Sequence, residues 1–186
     1  MTKYKLGIEL EFIVEGGSYL PLLTYFNNKY NAIFSMDYKY SSLTDIVLKP
    51  DPTIKGGLEI NIPPTYTDKL EDICEDLNQF NIIFDDKCAM HIHVDAANID
   101  IGKLYNYYKD NESSILQEAK KLNLLPPVSL NSSVTNIKFK YTNMNIWQAY
   151  IQHGTVEHRI YKSTINSELI SLAIKQTIEV IEKSQS

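Results

Sequence analysis

The sequence predicts an α+β domain in which helices pack on one side of a mostly antiparallel sheet. Two features carry that expectation. Segments with strand-like alternation are scattered between helical segments of uneven length, without the regular beat of a doubly wound fold. Several of those strands alternate an apolar face with a polar one, as half-covered antiparallel strands do. At 186 residues, 44% hydrophobic and 22% charged, the chain reads as a single domain over 1–186 with enough material for a core.

Residues 4–14 read as a strand stopped by Gly16 and Gly17. Ser18 is placed to cap a helix over about 20–29, with Pro21 in its first turn. AIFSMDYKY and LTDIVLK read as short strands, the second ending at Pro50, and GGLEINIPP as another closed by Pro63 and Pro64. Thr67 and Asp68 lead into a helix over about 68–80 with Leu70, Ile73, Leu77 and Phe80 on one stripe. CAMHIHVDA is a strand, followed by helical segments near 101–109 and 111–123. Pro126 and Pro127 open an irregular stretch to Val134; TNIKFKYTN then reads as extended and MNIWQAYIQ as a short helix. TVEHRIYKS is a strand, and Ser167 caps a last helix with Leu169, Ile170, Ala173, Ile174, Ile178 and Ile181 on its apolar face.

Composition narrows the function classes. A formal charge of −5, a single arginine among eighteen basic residues and no basic stripe argue against a general binder of nucleic acid or anionic membranes. The apolar runs are too short to span a bilayer, and no charged-then-apolar leader precedes the first strand. Cys74 and Cys88 make no CxxC pattern and no disulfide framework, so a cytoplasmic protein is the expectation.

The polar faces of the strands carry the chemistry. In KLGIELEFIV, Leu6, Ile8, Leu10 and Phe12 share one face and Gly7, Glu9 and Glu11 the other. Two carboxylates about 7 Å apart on one strand repel, and inside a cleft they need a cation. The same i, i+2 pairing recurs with His91 and His93, continued by Asp95, then with Glu157 and Arg159, and again with Glu59 and Asn61. None of these paired positions is a lysine, although lysine outnumbers arginine seventeen to one. A plain solvated face draws on the common residues; these positions read instead as ligands and counter-charges. Carboxylate oxygens with one or two imidazoles favour Mg²⁺ or Mn²⁺ over structural zinc, and HExxH is absent. Mg²⁺ held by carboxylates keeps positions open for phosphate oxygens, and an arginine fork suits phosphate or carboxylate. These are the parts of a phosphoryl-transfer site.

GIELEF, DPTIKGGLEINIPP, MHIHV and TVEHRIYKST, in that order, resemble the amidoligase family, within the carboxylate–amine ligase superfamily of glutamine synthetase and glutamate–cysteine ligase. The resemblance runs from residue 7 to about 166 and is dense in four blocks. It implies a curved, mostly antiparallel sheet, a glutamine-synthetase-like half barrel with helices on its convex side. It implies an ATP- and Mg²⁺- or Mn²⁺-dependent ligase that makes an amide through an acyl phosphate. By the same resemblance Glu9, Glu11, Glu59, His91 and Glu157 hold metal, with Glu9 and Glu11 on separate ions. His93, Arg159 and Lys162 contact nucleotide phosphate, and Arg159 with Glu157 forms the catalytic pair. The partners are a small-molecule or peptide carboxylate and an amine, with a homo-oligomer possible.

Departures from that pattern are His158 in place of phenylalanine, read as a core packing variant, and DPT at Asp51 in place of DGS. With one arginine, Lys140 and Lys162 become candidate phosphate neutralisers. Trp147 and Tyr150 are read as core, and Cys88 as a buried thiol. Two alternatives stay open: a non-catalytic nucleotide- or peptide-binding module on the same fold, and a metal-dependent hydrolase.

Overall fold

The computed structural model describes residues 3–126, 133–135 and 142–186. The chain is α+β, with an open sheet in which the pairs β1–β4, β1–β5, β3–β4 and β7–β8 are antiparallel and β2–β3 is parallel. Its residues fall into two compact units, one of Leu6–Met90 with Ser163–Ser167, the other of Met1–Lys5, His91–Lys162 and Glu168–Ser186.

In the first unit, β1 (Leu6–Val14), β2 (Ile33–Phe34), β3 (Val47–Asp51), β4 (Gly57–Ile62) and β5 (Ile82–Ile83) accompany α1 (Leu20–Tyr30) and α2 (Leu70–Leu77). The strands lie in the order β2-β3-β4-β1, with β5 also on β1. Alternation works as expected: Ile8, Leu10 and Phe12 of β1 and Leu58, Ile60 and Ile62 of β4 are almost wholly buried. Leu22, Phe26, Ile73 and Leu77 from the helices complete the core. Asp76, buried on α2, accepts hydrogen bonds from Tyr25 (2.8 Å), Lys29 (2.9 Å) and Tyr30 (2.5 Å), fastening α1 to α2.

Several boundaries differ from expectation, each for a local reason. Tyr19, not Ser18, is the N-cap of α1, and no side chain caps it; Pro21 does lie in the first turn. Of AIFSMDYKY only Ile33 and Phe34 pair. β3 runs through Pro50 instead of stopping there. Ile33 and Ser35 donate to the carbonyls of Ile46 and Leu48, so Pro50 also turns its nitrogen toward β2, which has already ended. No ladder donor is lost there. α2 lies within the helix expected over about 68–80 but ends at Leu77, and a 3-10 turn (Pro64–Lys69) leads into it.

The second unit contains β6 (Ala89–Asp95) from His91 on, α3 (Ile101–Lys121), β7 (Met144–Asn145), α4 (Trp147–His153), β8 (Thr155–Lys162) and most of α5 (Ser167–Gln185). The strands are ordered β6-β8-β7. α3 is one helix, not two; at the expected break Asn111 Nδ2 donates to the Tyr107 carbonyl one turn back (2.8 Å). Gln176 of α5 donates to the Ile115 carbonyl of α3 (2.9 Å), and the Asp100 amide to Gln185 Oε1 (2.8 Å), tying the two helices along their length. α4 ends on Gly154, whose φ of 67° is left-handed backbone that glycine adopts without strain. The expected irregular stretch after Pro126 and the extended TNIKFKYTN, with Lys140, lie mostly outside the described residues.

His158 is fully buried, as a packing position should be, yet it keeps polar partners. Tyr108 Oη lies 3.1 Å from Nε2, and Thr177 Oγ1 and Tyr161 Oη lie 2.9 and 3.1 Å from Nδ1. Burial drives its pKa down to about 3, so the ring is neutral. Cys74 and Cys88 are both buried and unpaired, and burial pushes each thiol up to about 12. No described helix is long and apolar enough to cross a membrane.

Candidate functional site

The polar face of the first unit is built by register. On β1 and β4, Glu11 stands opposite Glu59 and Glu9 opposite Asn61. On β3 and β4, Lys49 stands opposite Glu59. One row across three strands therefore reads Lys49, Glu59, Glu11, and the next reads Val47, Asn61, Glu9. Asp51 ends β3 opposite Gly57, where an added Cβ would fall 2.5 Å from Ile54, so this corner takes no side chain. Carboxylate oxygens of Glu11, Asp51 and Glu59 lie within 4.8 Å of one another.

Each carboxylate is held in place. Glu11 Oε2 accepts the Ala89 amide (2.8 Å), and Asp51 Oδ1 accepts the amide and hydroxyl of Thr53 (both 2.7 Å). Glu59 Oε1 takes two donors, Asn61 Nδ2 at 2.7 Å and Lys49 Nζ at 3.1 Å. Burial, then the charge of Glu9, pushes the Glu59 carboxyl up to about 7 despite Lys49. Asn61 is buried, and its Oδ1 has no hydrogen-bond partner among the described residues.

The second unit brings together another part of the expected set. His91 Nδ1 and His93 Nε2 lie 3.5 and 3.8 Å from Glu157 Oε1, which Arg159 also contacts. Asn145 Nδ2 donates to Glu157 Oε2 (2.7 Å), and Thr155 Oγ1 lies 3.4 Å from His93 Nδ1. Glu157 and His91 are buried, while His93 and Arg159 are partly open.

Lys162 Nζ donates to Asn123 Oδ1 (3.1 Å), and its amide to the Leu124 carbonyl. Asp95 Oδ1 accepts the Ala97 amide (3.0 Å) and closes the end of β6. Trp147 and Tyr150 are 39% and 45% exposed, not core, because α4 has only seven residues and buries Ala149 alone.

Sequence reasoning did not select Lys49 or Asn145. Lys49 meets Glu59 through cross-strand register, which the strand read by itself does not show. Asn145 sits on a two-residue strand, too short to show a period. No family model matches the chain, and no match is found among the curated proteins or the solved structures.

Proposed function

We propose that the chain is an ATP-dependent ligase, using Mg²⁺ or Mn²⁺, that joins a carboxylate to an amine through an acyl phosphate. The observation that carries this reading is the group of Glu11, Asp51 and Glu59, three buried or half-buried carboxylates with oxygens within 4.8 Å. Like charges so close and dry need a cation, and an all-oxygen set suits Mg²⁺ or Mn²⁺. The unpartnered Asn61 Oδ1 beside Glu59 adds a further oxygen donor with nothing to accept from among the described residues. Bound there, the ion would neutralise phosphate oxygens of the nucleotide.

In this reading His91 and Glu157 hold metal in the second unit, as Glu9 does in the first. His93 and the guanidinium of Arg159 receive phosphate. A substrate carboxylate oxygen attacks the γ-phosphorus and ADP leaves. The amine then attacks the acyl carbon, loses a proton and expels phosphate. Asn145 and Glu157 hold Arg159 pre-placed for the charge that develops on the transferring group. The reading includes a half-barrel sheet with helices on its convex side, a cytoplasmic location and, as a possibility, a homo-oligomer.

The test has two stages. Calorimetric titration with a non-hydrolysable ATP analogue is expected to show binding only with Mg²⁺ present. ADP and phosphate release is then expected to need both a carboxylate and an amine, and to drop about 100-fold or more in Arg159→Ala. Undiminished turnover in that variant would sink the assignment. The binding-module reading has one observation in its favour: the chain's single arginine is already engaged by Glu157. Mg²⁺-dependent nucleotide binding without ADP release from any substrate pair would select it.

A further inference from the structure

Lys49 is a cation set into the carboxylate group itself. Its side chain is 7% exposed and that of Glu59 14%, so both charges sit largely out of water. Burying an ammonium is costly unless it is paired. Lys49 Nζ has two partners, Glu59 Oε1 at 3.1 Å and the Tyr40 carbonyl at 3.2 Å. The register places it in the same row as Glu59 and Glu11, on the opposite flank of Glu59 from Glu11.

The oxygens of Glu59 are already divided. Oε1 receives both Lys49 and Asn61 Nδ2, which leaves Oε2 for any other cation. A group of three carboxylates with a further glutamate, Glu9, in the adjacent row would be strongly self-repelling without an internal positive charge. A second mark of a cation site lies beside it, since the buried Asn61 Oδ1 has no donor among the described residues.

We propose that Lys49 is the resident counter-cation of the Glu11–Asp51–Glu59 group: it restricts Glu59 to one free oxygen and sets how tightly the group takes a divalent ion. This rests on the metal part of the function proposed above, not on its ligase chemistry. The ammonium keeps the carboxylates together when no ion is bound. When an ion enters, the same charge opposes it, so the affinity stays moderate and metal exchange stays easy.

The experiment titrates the purified full chain with Mn²⁺ alone, following free Mn²⁺ by electron paramagnetic resonance, and records melting temperature with and without Mn²⁺. Lys49→Met removes the charge and keeps an unbranched apolar stem; Lys49→Gln removes the charge and keeps an N–H donor. Lys49→Arg keeps the charge. The Met and Gln variants are expected to bind Mn²⁺ at least tenfold more tightly than wild type. They are also expected to melt lower than wild type without metal and to gain more from Mn²⁺. The Arg variant should bind as wild type does. If Lys49→Met fails to fold, Lys49→Gln decides alone. Equal affinity, within twofold, in wild type and Gln variant would overturn the role of Lys49 and leave the metal reading standing. No Mn²⁺ binding in either protein would overturn both.

Discussion

At the scale of single residues, His158 shows how a polar group is stored in a core. All three partners of its ring are neutral hydroxyls, so nothing stabilises a charged imidazole there. The folded pKa is about 3, against 6.5 for the free side chain. Between those values the unfolded chain binds more protons than the folded one, so stability rises with pH across that window. It is fully present above 6.5 and declines as pH falls toward 3, by up to ~1.4 kcal/mol per pH unit from this group. Glu59, Asp76 and other groups titrate in addition, so the contribution is read by comparison with His158→Phe. That variant removes the sole partner of the Tyr108 hydroxyl among the described residues, while Tyr161 and Thr177 keep each other at 2.9 Å. It is expected to cost about 1–3 kcal/mol in urea unfolding at pH 7.5. At pH 5 the gap should narrow by roughly 2 kcal/mol, because only the wild type carries the proton-linked loss. A gap that does not change with pH would mean the imidazole is not held neutral.

At the scale of elements, the joint between α1 and α2 depends on one carboxylate. Burial raises Asp76, but hydrogen bonds from Lys29, Tyr30 and Tyr25 outweigh it and hold the carboxyl below its ordinary value. Asp76→Ala leaves the buried Tyr30 hydroxyl without its acceptor and is expected to cost about 3 kcal/mol in urea unfolding. A loss under ~1 kcal/mol would show that the aromatic contacts among Tyr25, Phe26 and Phe80 hold the joint by themselves. This joint was not legible in the sequence, since residues 51 apart carry no periodic signal. The long strands were legible: β1, β4, β6 and β8 set apolar against polar residues in alternation, His158 apart, and their polar faces named Glu9, Glu11, Glu59, His91, His93, Glu157 and Arg159. The two-residue strands β5 and β7 were not, because two residues have no period, and β2 keeps only two residues of the segment read as a strand. Lys49 was hidden by cross-strand register, which no single strand reveals. Trp147 and Tyr150 looked apolar enough for a core, but a seven-residue helix has only one face to bury.

At the scale of the whole molecule, the metal reading makes a prediction that needs no substrate. An ion that binds only the folded chain stabilises it, by ~2.7 kcal/mol at a hundredfold excess over its dissociation constant. For a chain of this length that is a rise of about 5–10 °C in melting temperature. Glu11→Gln with Asp51→Asn is expected to abolish the rise in a calorimetric scan, and a chelator to reverse it in wild type. An unchanged rise in the double variant would move the ion away from this group.

The two buried cysteines have a practical consequence. With both thiols screened and pushed up to about 12, the natural chain offers alkylating dyes almost no thiolate near neutral pH. It is therefore its own unreactive background for labelling. A cysteine placed at Leu43, 80% exposed in the first unit, and another at Ile151, 79% exposed in the second, would take a fluorophore pair without prior removal of either native residue. Energy transfer between the two dyes would then report, molecule by molecule, whether nucleotide and metal change the separation of the labelled positions.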